Sequence, residues 1–111
     1  YTLLLFWSAD CSHCVETVNA LFPWSQQPEN KTKVSVIAIS LDETETEIKA
    51  WQQKAINLTG WKHLRAKEGV RSKVASDYYV LATPVMILLD SKTKEIVALP
   101  ETTAQVEAVM H

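Results

Sequence analysis

A short apolar run, Leu3-Leu4-Leu5-Phe6-Trp7, is followed three residues later by Cys11-Ser12-His13-Cys14 and then by a helix-like segment beginning at Val15. A continuous apolar run of that length reads as a buried strand. Two cysteines at C-x-x-C spacing on a strand-to-helix junction can form and break a disulfide with little backbone movement. The first helical turn also points backbone N–H groups, which lack an intrahelical partner, at any thiolate exposed there. These are the only two cysteines in the chain, so no other sulfur competes for them.

The remaining bounds are mild. A chain of 111 residues can bury one core without cross-links, and one domain over residues 1–111 is expected. Hydrophobic residues at 47% and charged residues at 22% are ordinary for a globular protein. A net charge of -2 offers no basic face for nucleic acid or anionic lipid. The run Leu3–Trp7 is far too short to span a bilayer, so no transmembrane segment is expected. The chain opens inside its first strand without an initiator Met, so any targeting or anchoring segment is expected to precede residue 1. A lone C-x-x-C pair suits either a cytosolic or an extracytoplasmic redox site.

After the strand 3–7, a helix is expected from about Ser12 to Phe22, with Val15, Val18, Leu21 and Phe22 on one face and Pro23 as its stop. Residues 23–30 read as a polar, proline-bounded loop anchored by Trp24. Residues 34–41 are β-branched and read as a second strand. Asp42 can cap the next helix with Glu45 completing a box, and the acidic run 42–47 reads as a solvated first turn. That helix is expected to carry Ile48, Trp51 and Ile56 to the core and to stop near Gly60. Residues 70–79 read as a shorter helix with Tyr78 and Tyr79 closing it on the sheet, and Lys62, Arg65, Lys67, Arg71 and Lys73 as a solvated face. A hairpin of strands 84–89 and 95–99 around the turn 90–94, then a closing helix 102–110, completes the chain. The order β-α-β-α-α-β-β-α predicts an α/β fold with a mixed sheet of about four strands flanked by helices on both faces. Its first β-α-β unit is expected to be a parallel crossover.

Cys11, at the exposed helix start, is the candidate nucleophile, with a thiol pKa below the ordinary ~8.5 and toward the ~3.5–7.5 of such sites. His13, between the cysteines, can present a positive or hydrogen-bonding imidazole to the thiolate and lower the pKa further. Asp10 opposes this by like-charge repulsion. Cys14, one turn on, is the resolving thiol. A purely structural disulfide across so short a loop contributes only ~2 kcal/mol, against ~4.7 for a long loop, which makes stability a poor use of this spacing. A zinc site needs two ligands beyond the thiolates, and only His13, His63 and His111 could supply them. Haem attachment is excluded because Val15, not His, follows Cys14. Neither metal nor organic cofactor is called for. Thr83-Pro84, directly before an apolar strand, is otherwise a loop proline.

Phe6-Trp7-Ser8-Ala9-Asp10-Cys11-Ser12-His13-Cys14 resembles the F-W-A-x-W-C-x-x-C signature of thioredoxin-fold proteins. Tyr78-x-Val80-x-x-Thr83-Pro84, running into Leu88-Leu89-Asp90, resembles the Y-x-V-x-x-T-P element of the TlpA-like branch, the extracytoplasmic thiol–disulfide oxidoreductases of bacterial envelopes. The resemblance spans nearly the whole chain. It implies a thioredoxin-like fold, a cis Pro84 packed on the cysteine pair, and a Thr83 backbone that pairs with an incoming polypeptide by strand addition. It also implies an extracytoplasmic setting, with any anchor in a preceding segment.

Four positions depart from the pattern. Leu5 stands where thioredoxin has a buried Asp, Asp10 where it has Trp, Asn19 where the helix carries a kinking proline, and Ala98-Leu99-Pro100 lacks the usual glycine. Without that Asp the proton acceptor for Cys14 is unassigned. Glu16 is near in sequence, but two positions along a helix turn it away. Trp7 reads equally as a shield flanking the site, where it could touch substrate, and as core.

The function these residues predict is thiol–disulfide exchange by a monomer with protein disulfides or dithiols, served by a redox donor or acceptor protein. Two alternatives stand beside it. One is a non-catalytic redox-sensing or partner-binding module. The other is a peroxiredoxin-like peroxidase, in which Ser8-x-x-Cys11 mimics a hydroxyl-x-x-Cys element, although that family's upstream proline and activating Arg are not recognisable.

Overall fold

The computed structural model describes residues 1–9, 11–66, 72–73 and 84–110. Within them the chain forms β1 (Thr2–Trp7), α1 (Ser12–Gln26), α2 (Pro28–Lys31), β2 (Ser35–Ser40), α3 (Glu45–Ala55), β3 (Lys62–Arg65), β4 (Val85–Leu89), β5 (Ile96–Ala98) and α4 (Thr103–Met110). The strands lie in one sheet in the order β3-β2-β1-β4-β5.

The continuous apolar run of β1 is explained by its central place, with core on both faces of the sheet. Alternate side chains divide between the two cores. Leu3, Leu5 and Trp7 pack with Cys14, Val18, Leu21 and Trp24 of α1 and Val106 of α4. Leu4 and Phe6 pack with Ile39, Leu41, Ala66, Ile87 and Leu89. β2 runs parallel to β1, pairing Leu5 with Ala38 and Trp7 with Ser40, as the crossover rule predicts. β4 is antiparallel to β1, pairing Phe6 with Val85, and antiparallel to β5 across the expected hairpin. Asp90 closes that turn by accepting the N–H groups of Lys92 and Thr93 at 2.8 and 3.0 Å.

The mixed sheet with helices is the expected fold class, with a fifth strand added. β3 was hidden because Lys62-His63-Leu64-Arg65 is charged and reads as a solvated face. It is an edge strand, parallel to β2, where charged side chains are favoured. Lys67 and Arg71 lie outside the described residues, as does the expected helix 70–79 apart from Ser72 and Lys73, and with it Tyr78 and Tyr79.

Two helix boundaries also differ from expectation. α1 does not stop at Phe22 but continues through Pro23 to Gln26. Proline removes one helical hydrogen bond, and side chains from the next turn and beyond hold the helix together across the gap. Trp24 is buried at 8% exposure, in a helix rather than a loop. The Ser25 hydroxyl donates to Phe22 O at 2.7 Å and accepts from Trp61 Nε1 at 2.8 Å. Buried Asn30 donates to Trp24 O at 2.8 Å, closing the helix end. α3 begins two residues later than expected. Thr44, not Asp42, is the N-cap, and its box partner is Glu47, not Glu45. The apolar face of α3 is correspondingly short. Trp51 packs on the core, Ile56 at the C-cap is 75% exposed, and Leu58 is buried in its place. Gly60, at φ 86°, takes the left-handed conformation that turns the chain into β3.

The Thr44 box yields a direct check. The N–H groups of Glu43 and Thr44 hold the Glu47 carboxyl below its ordinary value. A carboxyl lowered on folding stabilises the protein above its unfolded pKa, and that contribution is lost as pH falls through the folded value. Thr44→Ala is expected to cost about 1 kcal/mol near neutrality. Glu47→Gln removes the titrating partner instead, and the urea midpoints of that variant and the wild type are expected to converge as the pH is taken down through the carboxylate range.

Candidate active site

The cysteine motif leaves the carboxyl end of the central strand. β1 ends at Trp7, and the turn after it is closed by Cys11 N donating to Ser8 O at 3.2 Å. Cys11 then serves as the N-cap of α1, with extended backbone at φ -102° and ψ 112°. Its sulfur accepts the Cys14 N–H at 3.2 Å, and its carbonyl accepts the Val15 N–H at 3.1 Å as the first helical bond. Ser, Thr, Asn and Asp commonly do this with oxygen. A sulfur in the same place lies against the positive end of the helix dipole, which favours negative charge on it.

The two thiols differ in access. Cys11 is half-buried and Cys14 is fully buried, and no disulfide joins them here. Their spacing, a residue and the third after it, puts them on one side of the first turn. One sulfur can meet an incoming reactant while the other waits against the core with Val18, Leu21 and Trp7.

His13 and Glu16 point elsewhere. Their side chains are 71% and 79% exposed, with Nδ1 of His13 at 3.6 Å from Oε2 of Glu16. The two side chains form a solvent-facing pair on the outer surface of α1. Glu16, drawn into that pair, faces away from the buried Cys14. Trp7 is 0% exposed, which resolves its two readings toward the core. It packs in the core beside Cys14, under the cysteine turn.

Pro84 is half-buried and immediately precedes β4. Because Phe6 pairs with Val85, the antiparallel register brings Pro84 to the same end of the sheet as Trp7 and the cysteine turn. Thr83 lies outside the described residues, as do Asp10 and His111. No group of three or more His, Cys, Asp and Glu side chains converges as a metal site among the described residues.

Asp42 is the residue that sequence reasoning misplaced. Expected on a solvated turn, it is 0% exposed. Its carboxylate accepts from Ser8 Oγ at 2.6 Å, from Ser40 Oγ at 2.5 Å, and from Ala9 N at 3.2 and 3.3 Å through its two oxygens. The available signal was Ser40, a hydroxyl at the end of an otherwise apolar strand, two residues before an acid. A polar pair at the carboxyl end of a parallel strand faces the turns at that end rather than solvent.

Residues 1–96 match the family model described as thioredoxin-like. Among solved structures, the chain is similar to a conserved protein of unknown function from Bacteroides fragilis, at 26% identity and TM-score 0.75, over 99% of this chain and 79% of that one. It is similar to a thiol-disulfide oxidoreductase from Bacteroides fragilis at 25% identity and TM-score 0.71, over 98% of this chain and 80% of that one. Tryparedoxin I from Leishmania major shares the fold at 20% identity and TM-score 0.73, over 98% of this chain and 74% of that one. No curated protein sequence matches the chain. With a cysteine-capped helix at the end of a central strand and a family match running over residues 1–96, this chain belongs to the thioredoxin-like family.

Proposed function

We propose that this protein is a thiol–disulfide oxidoreductase that exchanges disulfides with protein substrates through Cys11 and Cys14. The observation that carries the reading is half-buried Cys11 at the N-cap of α1, its sulfur accepting the Cys14 N–H, with buried Cys14 one turn behind it. The similarity to a thiol-disulfide oxidoreductase of Bacteroides fragilis supports the same reading.

In the reducing direction, the Cys11 thiolate attacks one sulfur of a substrate disulfide. The substrate S–S bond breaks, its departing sulfur takes a proton, and a Cys11–substrate mixed disulfide remains. Cys14 loses its proton and attacks the Cys11 sulfur, forming the Cys11–Cys14 disulfide and releasing the second substrate thiol. The substrate gains two electrons from the cysteine pair and two protons, one from Cys14 and one from the solvent to which Cys11 had lost its own. The same steps reversed deliver a disulfide, so direction is set by the redox protein that reloads the pair. Burial of Cys14 delays its attack until the mixed disulfide brings a sulfur to it.

The remaining assignments belong to the same proposal. Pro84 is taken as the cis proline that borders the cysteine pair, and the Thr83 backbone as the edge to which a substrate segment adds. His13, between the two cysteines, is kept in the proposal as the residue that tunes the Cys11 thiol. A single monomeric domain over residues 1–111 and an extracytoplasmic setting complete the reading, the latter implied by the resemblance to the TlpA-like branch. No helix among the described residues is long and apolar enough to cross a membrane.

The peroxidase reading is disfavoured by one contact. Ser8 Oγ gives its proton to Asp42 at 2.6 Å rather than to a reacting thiolate.

Cys14→Ala is expected to accumulate mixed disulfides on Cys11 in an extract of candidate substrates, visible on non-reducing gels, while Cys11→Ser accumulates none. Insulin reduction with a thiol donor is expected from the wild type and from neither variant. Turnover of peroxide instead of insulin would replace the exchange mechanism with the peroxidase. Partner capture without turnover would leave a binding module. Alkylation of Cys11 by iodoacetamide is expected to titrate below the ~8.5 of an ordinary thiol.

A further inference from the structure

We propose that Asp42 is a positioning residue for the Cys11 thiol, holding the β1–α1 turn in the conformation that keeps the sulfur on the helix N-terminus. The inference rests on the reading of Cys11 as the attacking thiol and adds to it the device that aims the sulfur.

A fully buried carboxylate is costly unless its oxygens are met by donors. Asp42 meets that demand with neutral donors drawn from two strand ends. Ser40 belongs to β2, on the carboxylate's own side. Ser8 and Ala9 belong to the turn after β1, and Ser8 is also the residue whose carbonyl accepts the Cys11 N–H at 3.2 Å. A continuous chain of bonds therefore runs from Asp42 to Ser8, from Ser8 to the Cys11 backbone, and from Cys11 Sγ to the Cys14 N–H. Asp42 is itself tied down, its N–H donating to Ser40 Oγ at 3.1 Å and its carbonyl accepting from Arg65 Nη1 of β3 at 3.2 Å. Neighbouring strands β1, β2 and β3 thus converge on one acid beneath the cysteine turn. Three residues between strand and N-cap leave the turn little length over which to absorb a rotation, so loosening Ser8 and Ala9 moves the sulfur off its N–H donor. Titratable or charged groups near this turn include Cys14, Arg65, Glu43 beside Asp42, and the solvent-facing pair His13 and Glu16, while Asp10 within the turn lies outside the described residues.

Charge and position act on the thiol with opposite sign, which makes the proposal testable. Removing the negative charge of Asp42 would by itself favour the Cys11 thiolate. Losing the position of the sulfur disfavours it. The readout is the pH–rate profile of iodoacetamide alkylation at Cys11, resolved from Cys14 by peptide mass spectrometry on the full chain. Ser8→Ala, which changes no charge, is expected to raise the profile midpoint by about one pKa unit, read as alkylation about tenfold slower at pH values below both midpoints. Asp42→Asn is expected to shift the profile in the same direction. Ser8→Thr, which keeps the hydroxyl, is expected to restore the wild-type profile, which a general loss of stability in Ser8→Ala would not explain.

A wild-type profile in Ser8→Ala, or faster alkylation in Asp42→Asn, overturns the proposal while leaving Cys11 as the attacking thiol. Should Asp42→Asn fail to fold, the two Ser8 variants still decide. A wild-type Cys11 that titrates like free cysteine overturns both this inference and the reading on which it rests.

Discussion

The opening turn of a helix carries amide groups with no carbonyl to receive them, and in this protein a sulfur receives one. Cys14 N–H meets Cys11 Sγ at 3.2 Å, in the place where an oxygen cap is usual. The contact joins structure to chemistry. The cap that helps start α1 is also the atom proposed to react, so whatever orients the helix start orients the nucleophile. The second cysteine lies on the same turn because the helix has begun, and it is buried because that turn faces the core.

The sheet supplies the platform. β1 is enclosed on both faces, with Leu3, Leu5 and Trp7 in one core and Leu4 and Phe6 in the other. Its end is accordingly a fixed point, from which Ser8 and Ala9 leave toward the cysteines. Asp42 contributes from the neighbouring parallel strand, where Ser40 pairs with Trp7. A reactive group on a loop is only as well placed as the elements that hold the loop, and here three adjacent strands share the task.

Much of this is legible in the amino-acid order. The apolar run 3–7, the C-x-x-C spacing and the β-branched segment 34–41 each carry a local signal, and each of these strand or helix starts lies within a residue or two of its expected place. The misreadings share a cause, since each depended on a contact distant in sequence. Pro23 signals a helix end locally, but burial of Trp24 and the Trp61–Ser25 bond, 36 residues apart, carry the helix past it. Residues 62–65 look like a charged surface until an edge place beside β2 makes them a strand. Ile56 looks like core until α3 ends one residue before it.

The amino-acid sequence alone determined the chemistry on offer, namely two sulfurs at a helix start and a buried strand leading to them. Periodicity and spacing are local properties, and a local pattern suffices to define a strand, a turn and a cap. Tertiary structure decided which groups surround that chemistry. It turned His13 and Glu16 toward solvent, drew Trp7 into the core, and brought Asp42 from an expected surface turn to Ser8 and Ala9. Burial and hydrogen-bond partnership arise between segments more than thirty residues apart, and only the packed sheet sets which of them meet.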